Sequence, residues 1–328
     1  MPLVAGQGPF FDDLAIGQEY RAPAITLTAG LAAAHQAITG DRLALMLDHE
    51  LCRQVTGGGP LASPGLVWDV AIGQSTVVTQ HVKANLFYRG LAFRRAPAIG
   101  DTLTTVTQVV ALRQTRPRAA RAATGLAALR VTTSDQAGRP VLDFWRCAML
   151  PLRDEAGQTG HADDLDQVGG PPADFEAPVR DWLLARFAER TPGPRPAELQ
   201  AGQSFEVAGG DVVSSAPELA RLTANIAAVH HDKSAAGDER LVYGGHAIGL
   251  ALSQAARALP SLVTVTGWHG CEHLAPVREG DTLRSVITVE QVDYLPAGGG
   301  LVHLRSLVRA DAPDARDVLD WRYVAVVA

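Results

Sequence analysis

The sequence predicts an α+β protein built from two copies of one domain, each an antiparallel sheet wrapped round a central helix. Three observations lead to this prediction. The length of 328 residues suits roughly two domains. Four sequence anchors recur in the same order in both halves. Each half also contains one helix of small residues followed by three apolar strands.

Composition excludes several classes of protein. Hydrophobic residues make up 47% of the chain and charged residues 20%, which is typical of a globular protein. The formal net charge of −6 argues against nonspecific binding to nucleic acid. Three cysteines without a Cys-x-x-Cys pair indicate neither a disulfide framework nor a thiolate zinc site. With no signal peptide or membrane-length apolar run, we expect a soluble cytoplasmic protein with no nucleic-acid or membrane partner.

The anchors show that the chain is a tandem duplication. Each anchor returns about 180 residues after its first copy, and four collinear matches are hard to obtain by chance. The pairs are Gly-Gln at 17–18 and 202–203, Thr-x-Asp/Asn at 39–41 and 223–225, Gly-Asp-Thr-Leu at 100–103 and 280–283, and Val-Leu-Asp at 141–143 and 318–320.

The elements follow the same order in each half. A short strand near the Gly-Gln anchor leads to a helical segment around the Thr-x-Asp/Asn anchor, and then to the small-residue helix, at 64–76 and 244–259. Alternating apolar and polar residues then predict half-buried antiparallel strands. They lie at 102–112, 124–133 and 141–150, and at 283–292, 301–308 and 318–327.

Between the halves lies a linker that is rich in Gly, Asp and Pro and is followed by helical spacing at 175–190. The proline-rich residues 191–196 end that helix. We therefore divide the chain into a first repeat at 1–152, a linker with a helix at 153–195, and a second repeat at 196–328.

The first group of candidate functional residues lies ahead of the second small-residue helix. Asn225, His230 and Asp232 are followed by Tyr243, Gly244, Gly245 and His246. On one continuous helix Asn225 and His230 would point about 140° apart, so a break must lie between them if they act together. The free N–H groups of the glycines would suit a developing oxyanion. The alternative is a surface histidine and a plain turn.

A second group consists of His269, Cys271 and His273, which share one face of a strand. Imidazole and thiolate are ligands that suit zinc. No fourth ligand is apparent, and the first half has Arg89, Leu91 and Phe93 at the equivalent positions. We expect packed strand residues here, and neither a metal nor a cofactor.

With these residues in place, the chain resembles the MaoC-like dehydratases, whose fold is the hot dog. That family's motif runs Gly-Asp-x-Asn-Pro-Leu-His-x-Asp. The segment at 40–48 keeps Asp41 but has Met46 in place of the catalytic histidine, and the segment at 224–232 keeps His230 but has Asn225 in place of the aspartate. Neither copy of the motif is complete.

Segments at 82–91, 124–130, 143–151 and 241–251 look most like the mesaconyl-CoA hydratase branch of this family, also called β-methylmalyl-CoA dehydratases. The resemblance implies a double hot dog whose halves pack sheet against sheet. It also implies reversible hydration of a branched, unsaturated dicarboxylic acyl-CoA. By resemblance, the Gly244 amide holds the thioester oxygen, His230 transfers the proton and Asn225 orients the water or substrate. The substrate-binding residues would be Asp232, Tyr243, Gly245 and His246.

The first repeat then reads as a degenerate partner, because Met46 carries no proton. Arginines at 113, 116, 118 and 121 suit either CoA phosphates or a solvated hairpin turn. A cation for the free carboxylate of the acyl group would come from one of five arginines, at 89, 94, 95, 278 and 284.

Two rival functions stay open. A thioesterase of this fold would need an acidic residue on the buried helix; the second helix has none, whereas the first contains Asp69 and Gln74. A non-catalytic acyl-CoA binding protein is the other rival, if both motifs have decayed. A fused pair of repeats already supplies the usual dimer, and homo-oligomers of this pseudo-dimer are compatible with the sequence.

Overall fold

The computed structural model describes residues 6–116, 123–154, 156–169, 174–237, 239–311 and 315–328. The first repeat and the linker contain the following helices and strands: β1 (Glu19–Arg21), β2 (Ile25–Thr26), α1 (Ala29–Thr39), α2 (Ala44–Leu47), α3 (His49–Thr56), α4 (Pro64–Gln74), β3 (Ala84–Phe93), β4 (Thr102–Gln114), β5 (Thr124–Ser134), β6 (Pro140–Pro151) and, in the linker, α5 (Leu184–Arg190).

The second repeat has the same order of elements and lacks only a counterpart of one helix among its described residues. Its elements are β7 (Ser204–Glu206), β8 (Asp211–Val212), α6 (Ala216–Leu222), α7 (Lys233–Ala236), α8 (Gly244–Ala258), β9 (Leu262–His273), β10 (Thr282–Tyr294), β11 (Gly300–Ala310) and β12 (Arg316–Val327). This is the α+β double hot dog that the sequence predicts.

The two sheets join edge to edge and form one continuous antiparallel sheet. The strand order is β1-β4-β5-β6-β3-β9-β12-β11-β10-β7, with β2 and β8 pairing beside β4 and β10. The seam is the pairing of β3 with β9, in which Tyr88 lies opposite Cys271 and Leu91 opposite Trp268. The expected packing of sheet against sheet is therefore wrong. The inner face of each half is already covered by its central helix, whereas an unpaired edge strand leaves backbone N–H and C=O groups without partners.

The central helices α4 and α8 pack against each other inside the curved sheet, and a single apolar core runs through both repeats. Its largest members are the indoles of Trp68 on α4, Trp268 on β9 and Trp321 on β12, all fully buried. The ring centroids of Trp68 and Trp268 are 4.9 Å apart. Because the largest side chains of this core come from both repeats, the core is shared between them.

Each repeat also packs its motif loop against the central helix of the other repeat. A Cβ at Gly73 on α4 would lie 1.9 Å from the carbonyl oxygen of Thr223, and a Cβ at Gly249 on α8 would lie 2.8 Å from the Cγ2 of Thr39. The hydroxyl of Ser253 on α8 donates to the carbonyl of Gly40 at 2.5 Å. Glycine is thus required where helix and loop touch, and the site loops are held by these contacts.

The long strands and both central helices lie where the sequence predicts them, within a few residues. The sequence prediction missed β3 as a strand and treated β9 only in part, although these two strands make the seam. The linker helix is shorter than predicted: Pro178 sits in a single 3₁₀ turn at Ala177–Val179, and regular helix starts only at Leu184. Among the described residues, every helix is too short or too polar to span a bilayer.

The contact at Gly73 makes a stability prediction. At a helix position with room for a methyl group, replacing Gly by Ala stabilises the folded state by roughly 0.5 to 1 kcal/mol. At Gly73 the added methyl meets the backbone of Thr223, so we expect Gly73→Ala to destabilise by about 1 to 3 kcal/mol. Urea unfolding measures the difference. Gly58→Ala is the control, because its Cβ would meet only a hydroxyl at 3.7 Å; equal effects of the two changes would contradict the packing described.

Candidate functional site

A cavity of about 430 Å³ lies at the seam between the repeats. Its walls come from both of them. The second repeat supplies the loop after α6, the start of α8 and the end of β9, and the first repeat supplies the end of α4 and neighbouring strands β3 and β6. The polar lining residues are Thr76, Lys83, Asn85, Tyr88, Arg146, Asn225, His230, Tyr243, His273 and Arg278.

His230 ends a single 3₁₀ turn, Ala228–His230, and its ring faces the cavity. Nδ1 lies 2.8 Å from the carbonyl oxygen of Leu241, so Nδ1 carries the proton and donates it there. Burial lowers the pKa of His230 to about 4. The imidazole is therefore neutral at pH 7, and Nε2 holds the lone pair that can take a proton.

Asn225 reaches the same cavity because the helix before it stops short. Helix α6 ends at Leu222, and Ala224 takes a left-handed backbone conformation with φ of 55°. This is the break that Asn225 and His230 needed in order to converge. The Asn225 Oδ1 accepts the N–H of Ala227 at 3.0 Å. Its oxygen is thus used within the loop, and the amide Nδ2 is the donor left for the cavity.

Gly244 is the first residue of α8, so its N–H points out of the helix at the positive end of the helix dipole. The residue lines the cavity. A Cβ at this position would lie 2.4 Å from Nε2 of His273, which explains why the helix begins with glycine. The arrangement offers a backbone donor for an oxygen that gains negative charge.

Tyr243, the N-cap of α8, links the site to the first repeat. Its hydroxyl donates to Oδ1 of Asp69 on α4 at 3.1 Å, and Oδ2 of Asp69 lies 2.9 Å from Nε2 of His35. Burial raises the pKa of Asp69. Gly245 has no side chain because a Cβ would fall 2.0 Å from Oδ1 of Asp69. This network fixes the start of α8 from behind the cavity.

Three of the predicted site residues lie outside the cavity. Asp232 is exposed and caps α7 by accepting the N–H of Ser234 at 2.8 Å. His246 is fully buried in the core, where neither ring nitrogen has a partner among the described residues. Gly245 packs on Asp69 and Tyr243. The structure therefore unites Asn225, His230, Tyr243 and Gly244, and leaves the other three as supporting residues.

The residues considered for zinc separate. His273 points into the cavity, Cys271 is buried, and Nε2 of His269 lies 2.7 Å from Nδ1 of His303. In the part of the chain that the structure describes, no group of three His, Cys, Asp or Glu residues is placed to hold a metal ion. His273 instead belongs to the cavity wall, where burial lowers its pKa to about 4.

The equivalent position in the first repeat is closed. The cavity there is about 10 Å³ and is lined by Met46, Pro64 and Phe93, with Trp182 of the linker packed over it. Pro64 stands where the second repeat has Gly244, so the helix there begins without an N–H. Met46 and Phe93 replace His230 and His273.

Sequence reasoning missed five polar residues of the cavity, Thr76, Lys83, Asn85, Tyr88 and Arg146. For Arg146, the available signal was an arginine in the middle of an otherwise apolar strand.

Of the five arginines first considered for a carboxylate, only Arg278 lines the cavity. Arg89 donates to the carbonyls of Leu165 and Val168, and the others pair with aspartates elsewhere. Of the hairpin arginines, Arg113 and Arg116 lie away from the cavity wall, while Arg118 and Arg121 lie outside the described residues.

Solved structures of other proteins share this fold. A conserved hypothetical protein of Mycobacterium tuberculosis, RV0216, which has a double hotdog fold, is 54% identical; 99% of each chain is covered and the TM-score is 0.91. A MaoC domain protein of Chloroflexus aurantiacus is 23% identical with 99% of each chain covered and a TM-score of 0.85. The second likeness extends only to the fold.

Two curated proteins are more distant relatives by sequence. A beta-methylmalyl-CoA dehydratase of Chloroflexus aurantiacus is 25% identical over 95% of this chain and 91% of its own length. A mesaconyl-CoA hydratase of Cereibacter sphaeroides is 25% identical over 91% of this chain and 88% of its own. No family model matches the chain.

The buried histidines make a stability prediction that depends on pH. Burial lowers the pKa of His246 to about 4 from 6.5. The unfolded chain therefore takes up this proton first as the pH falls, and the folded state loses stability between pH 6.5 and 4 by about 3 kcal/mol. His246→Leu, which introduces the residue found at the equivalent Leu66, removes this loss. Urea unfolding at several pH values measures the difference between the two proteins, which should grow on acidification; a constant difference would contradict the buried neutral ring.

Proposed function

Because the chain belongs to the MaoC-like double hot dog family, we propose that it is a hydro-lyase that adds water reversibly to the double bond of an enoyl-CoA thioester. The observation that carries this proposal is the single cavity that unites a neutral histidine, an amide donor and a free helix N-terminus. Hydration of an enoyl thioester needs these three things: a proton acceptor, a group that orients water, and a donor for the thioester oxygen.

In the proposed reaction His230 acts as both base and acid. Nε2 takes a proton from water while the hydroxide bonds to the β-carbon of the substrate. The electron pair of the double bond moves to the thioester oxygen, which accepts the N–H of Gly244. The enolate then collapses, the α-carbon takes the proton from Nε2, and His230 returns to its neutral form. Dehydration is the same sequence reversed.

Asn225 does not exchange a proton, and its proposed role is to hold the attacking water through Nδ2. The fixed direction of that group comes from the hydrogen bond between Oδ1 and the N–H of Ala227. Tyr243 supports the reacting groups through its ring, whose centroid lies 5.7 Å from that of His230. Asp232, Gly245 and His246 act on the substrate only through the loop and helix that they stabilise.

We propose a branched, unsaturated dicarboxylic acyl-CoA as the substrate, such as mesaconyl-CoA, which would be hydrated to β-methylmalyl-CoA. The names of the two curated relatives support this choice. The exposed Lys83 and the half-buried Arg278 line the cavity and would suit the phosphates of CoA. We further propose that the second repeat, 196–328, holds the single working site, that the first repeat, 1–152, completes the cavity, and that the protein acts in the cytoplasm, where its free cysteines stay reduced.

The position of Asp69 favours a hydratase over a thioesterase. A thioesterase of this fold would use an acidic side chain on the buried helix to direct water at the thioester carbon. Asp69 is fully buried and its two oxygens are occupied by Tyr243 and His35, so it does not open onto the cavity. Gln74 is likewise bonded to Thr105 and to backbone carbonyls away from the cavity.

The first test of this function is turnover. Incubated with mesaconyl-CoA, the protein should give the hydrated thioester and no free CoA, as measured by mass spectrometry together with a thiol reagent. His230→Ala should lower kcat by about 10² to 10⁴, because it removes the proton carrier of the proposed step. Met46→Ala in the closed first repeat is the matched control and should leave kcat within about threefold. Release of free CoA would support the thioesterase, and background turnover by the unchanged protein would support a binding protein.

The second test is the pH profile. Because burial lowers the pKa of His230 to about 4, the base form predominates over the whole neutral range. We expect kcat/KM for hydration to stay constant between about pH 6 and about pH 8 and to fall only toward pH 4. A half-maximal rate near pH 6.5 would instead show a histidine with an ordinary pKa and contradict the lowered pKa of His230.

A further inference from the structure

We propose that Arg146 binds a carboxylate carried by the acyl chain, and that it thereby restricts the substrate to CoA thioesters with a second acid group. This inference deepens the proposed function and rests on it for the identity of the thioester. Arg146 lies on β6, opposite Tyr88 of β3, and both residues line the cavity. Neither was a candidate from the sequence.

Arg146 is buried in a way that leaves part of its guanidinium unused. Its residue is only 3% exposed. Nη2 donates to the carbonyl of Ser75 at 3.1 Å and to the hydroxyl of Thr79 at 2.6 Å, which are both neutral acceptors. Nε is buried and has no partner among the described residues. One edge of the guanidinium is thus anchored, while the rest is available to a ligand.

Among the residues that the structure describes, no acidic side chain pairs with Arg146. The ion pairs formed within the described ranges include arginines on β5, β10, β11 and β12, but none includes Arg146. A buried guanidinium without a counter-ion is costly. An anion that arrives with the substrate would supply the missing partner, and a carboxylate matches the planar fork of arginine.

The depth of Arg146 decides which anion it receives. Lys83 is exposed and Arg278 is half-buried on the cavity wall, where the large phosphates of CoA have access. Arg146 instead lies close enough to the catalytic ring for its charge to help lower the pKa of His230. An anion that reaches both the cavity interior and Arg146 must therefore be small and attached near the reacting carbons, as the carboxylate of a dicarboxylic acyl group is.

The second repeat shows that the fold itself does not require an arginine here. Its equivalent residue is Tyr323, which is fully buried, stacks on Trp321 with ring centroids 3.7 Å apart, and has its hydroxyl 3.3 Å from that of Ser306. A neutral side chain thus fills the same strand position without a buried charge. The alternative role for Arg146 is a brace between β6 and the segment after α4, and the experiment must separate the two.

Binding of two saturated thioesters of equal chain length tests the proposal without relying on turnover. Succinyl-CoA carries a terminal carboxylate and butyryl-CoA does not. Calorimetry on the unchanged protein should show tighter binding of succinyl-CoA, and Arg146→Met should weaken it by about a hundredfold while leaving butyryl-CoA within about threefold. Arg146→Lys, which keeps the charge but not the fork, should give an intermediate loss. Arg284→Met is the control, because that arginine is exposed and pairs with Asp311.

Three outcomes would overturn the proposal. Equal affinity of the unchanged protein for both thioesters would do so, whatever the variants show. Equal loss for both thioesters in Arg146→Met would assign the arginine to the brace. Should Arg146→Met fail to fold, an unchanged ratio of affinities in Arg146→Lys would decide against a bidentate carboxylate contact. If the protein fails to hydrate the enoyl-CoA but still binds succinyl-CoA more tightly than butyryl-CoA, the proposed hydratase activity is wrong and the carboxylate site is supported.

Discussion

The structure depends on the pairing of β3 with β9, because this one seam joins the sheets of the two repeats into one continuous sheet. Once the edges pair, the central helices of both repeats lie inside one curved sheet and must pack on each other. Glycine is required at 73 and 249, because each central helix there meets the motif loop of the other repeat. The loop that carries Asn225 and His230 is positioned by that contact. The cavity, with His230 and the start of α8 in its wall, therefore depends on the seam.

A duplicated fold creates two equivalent cavities at such a seam, and this chain keeps one of them. In the first repeat a proline removes the helix N–H, a methionine stands in place of the histidine, and the linker residue Trp182 covers the space. Each change is compatible with packing, since methionine and tryptophan fill volume that an active site would leave empty. The side chains that fill the closed cavity contribute to the core. The open cavity of about 430 Å³ lacks such packing contacts and is nevertheless retained.

The side chains around the open cavity include neutral histidines and one buried cation. Burial keeps His230 and His273 neutral, and Asp69 is turned away toward His35 and Tyr243. Arg146 is left as a deep cation with no carboxylate beside it among the described residues. Such a site is suited to anionic ligands, and to chemistry in which negative charge develops on the ligand rather than on the protein. A histidine with a depressed pKa is a base that is always ready at neutral pH, although a weaker one than usual.

The sequence by itself determined the duplication, the order of elements, the central helices and the candidate pair Asn225 and His230, because anchors, hydrophobic period and motif spacing are local properties. Only the tertiary structure decided which of these residues meet. Asp232 and His246 are near His230 in the chain, yet one faces solvent and the other the core, since a cap and a helix turn orient them. Arg146 and Tyr88 lie far from His230 in the chain and join it only because β6 pairs with β3, and β3 in turn pairs with β9 at the seam. Long-range strand pairing brings together residues that no local sequence pattern connects. The pairing of β3 with β9 also joins the two sheets edge to edge instead of stacking them face to face.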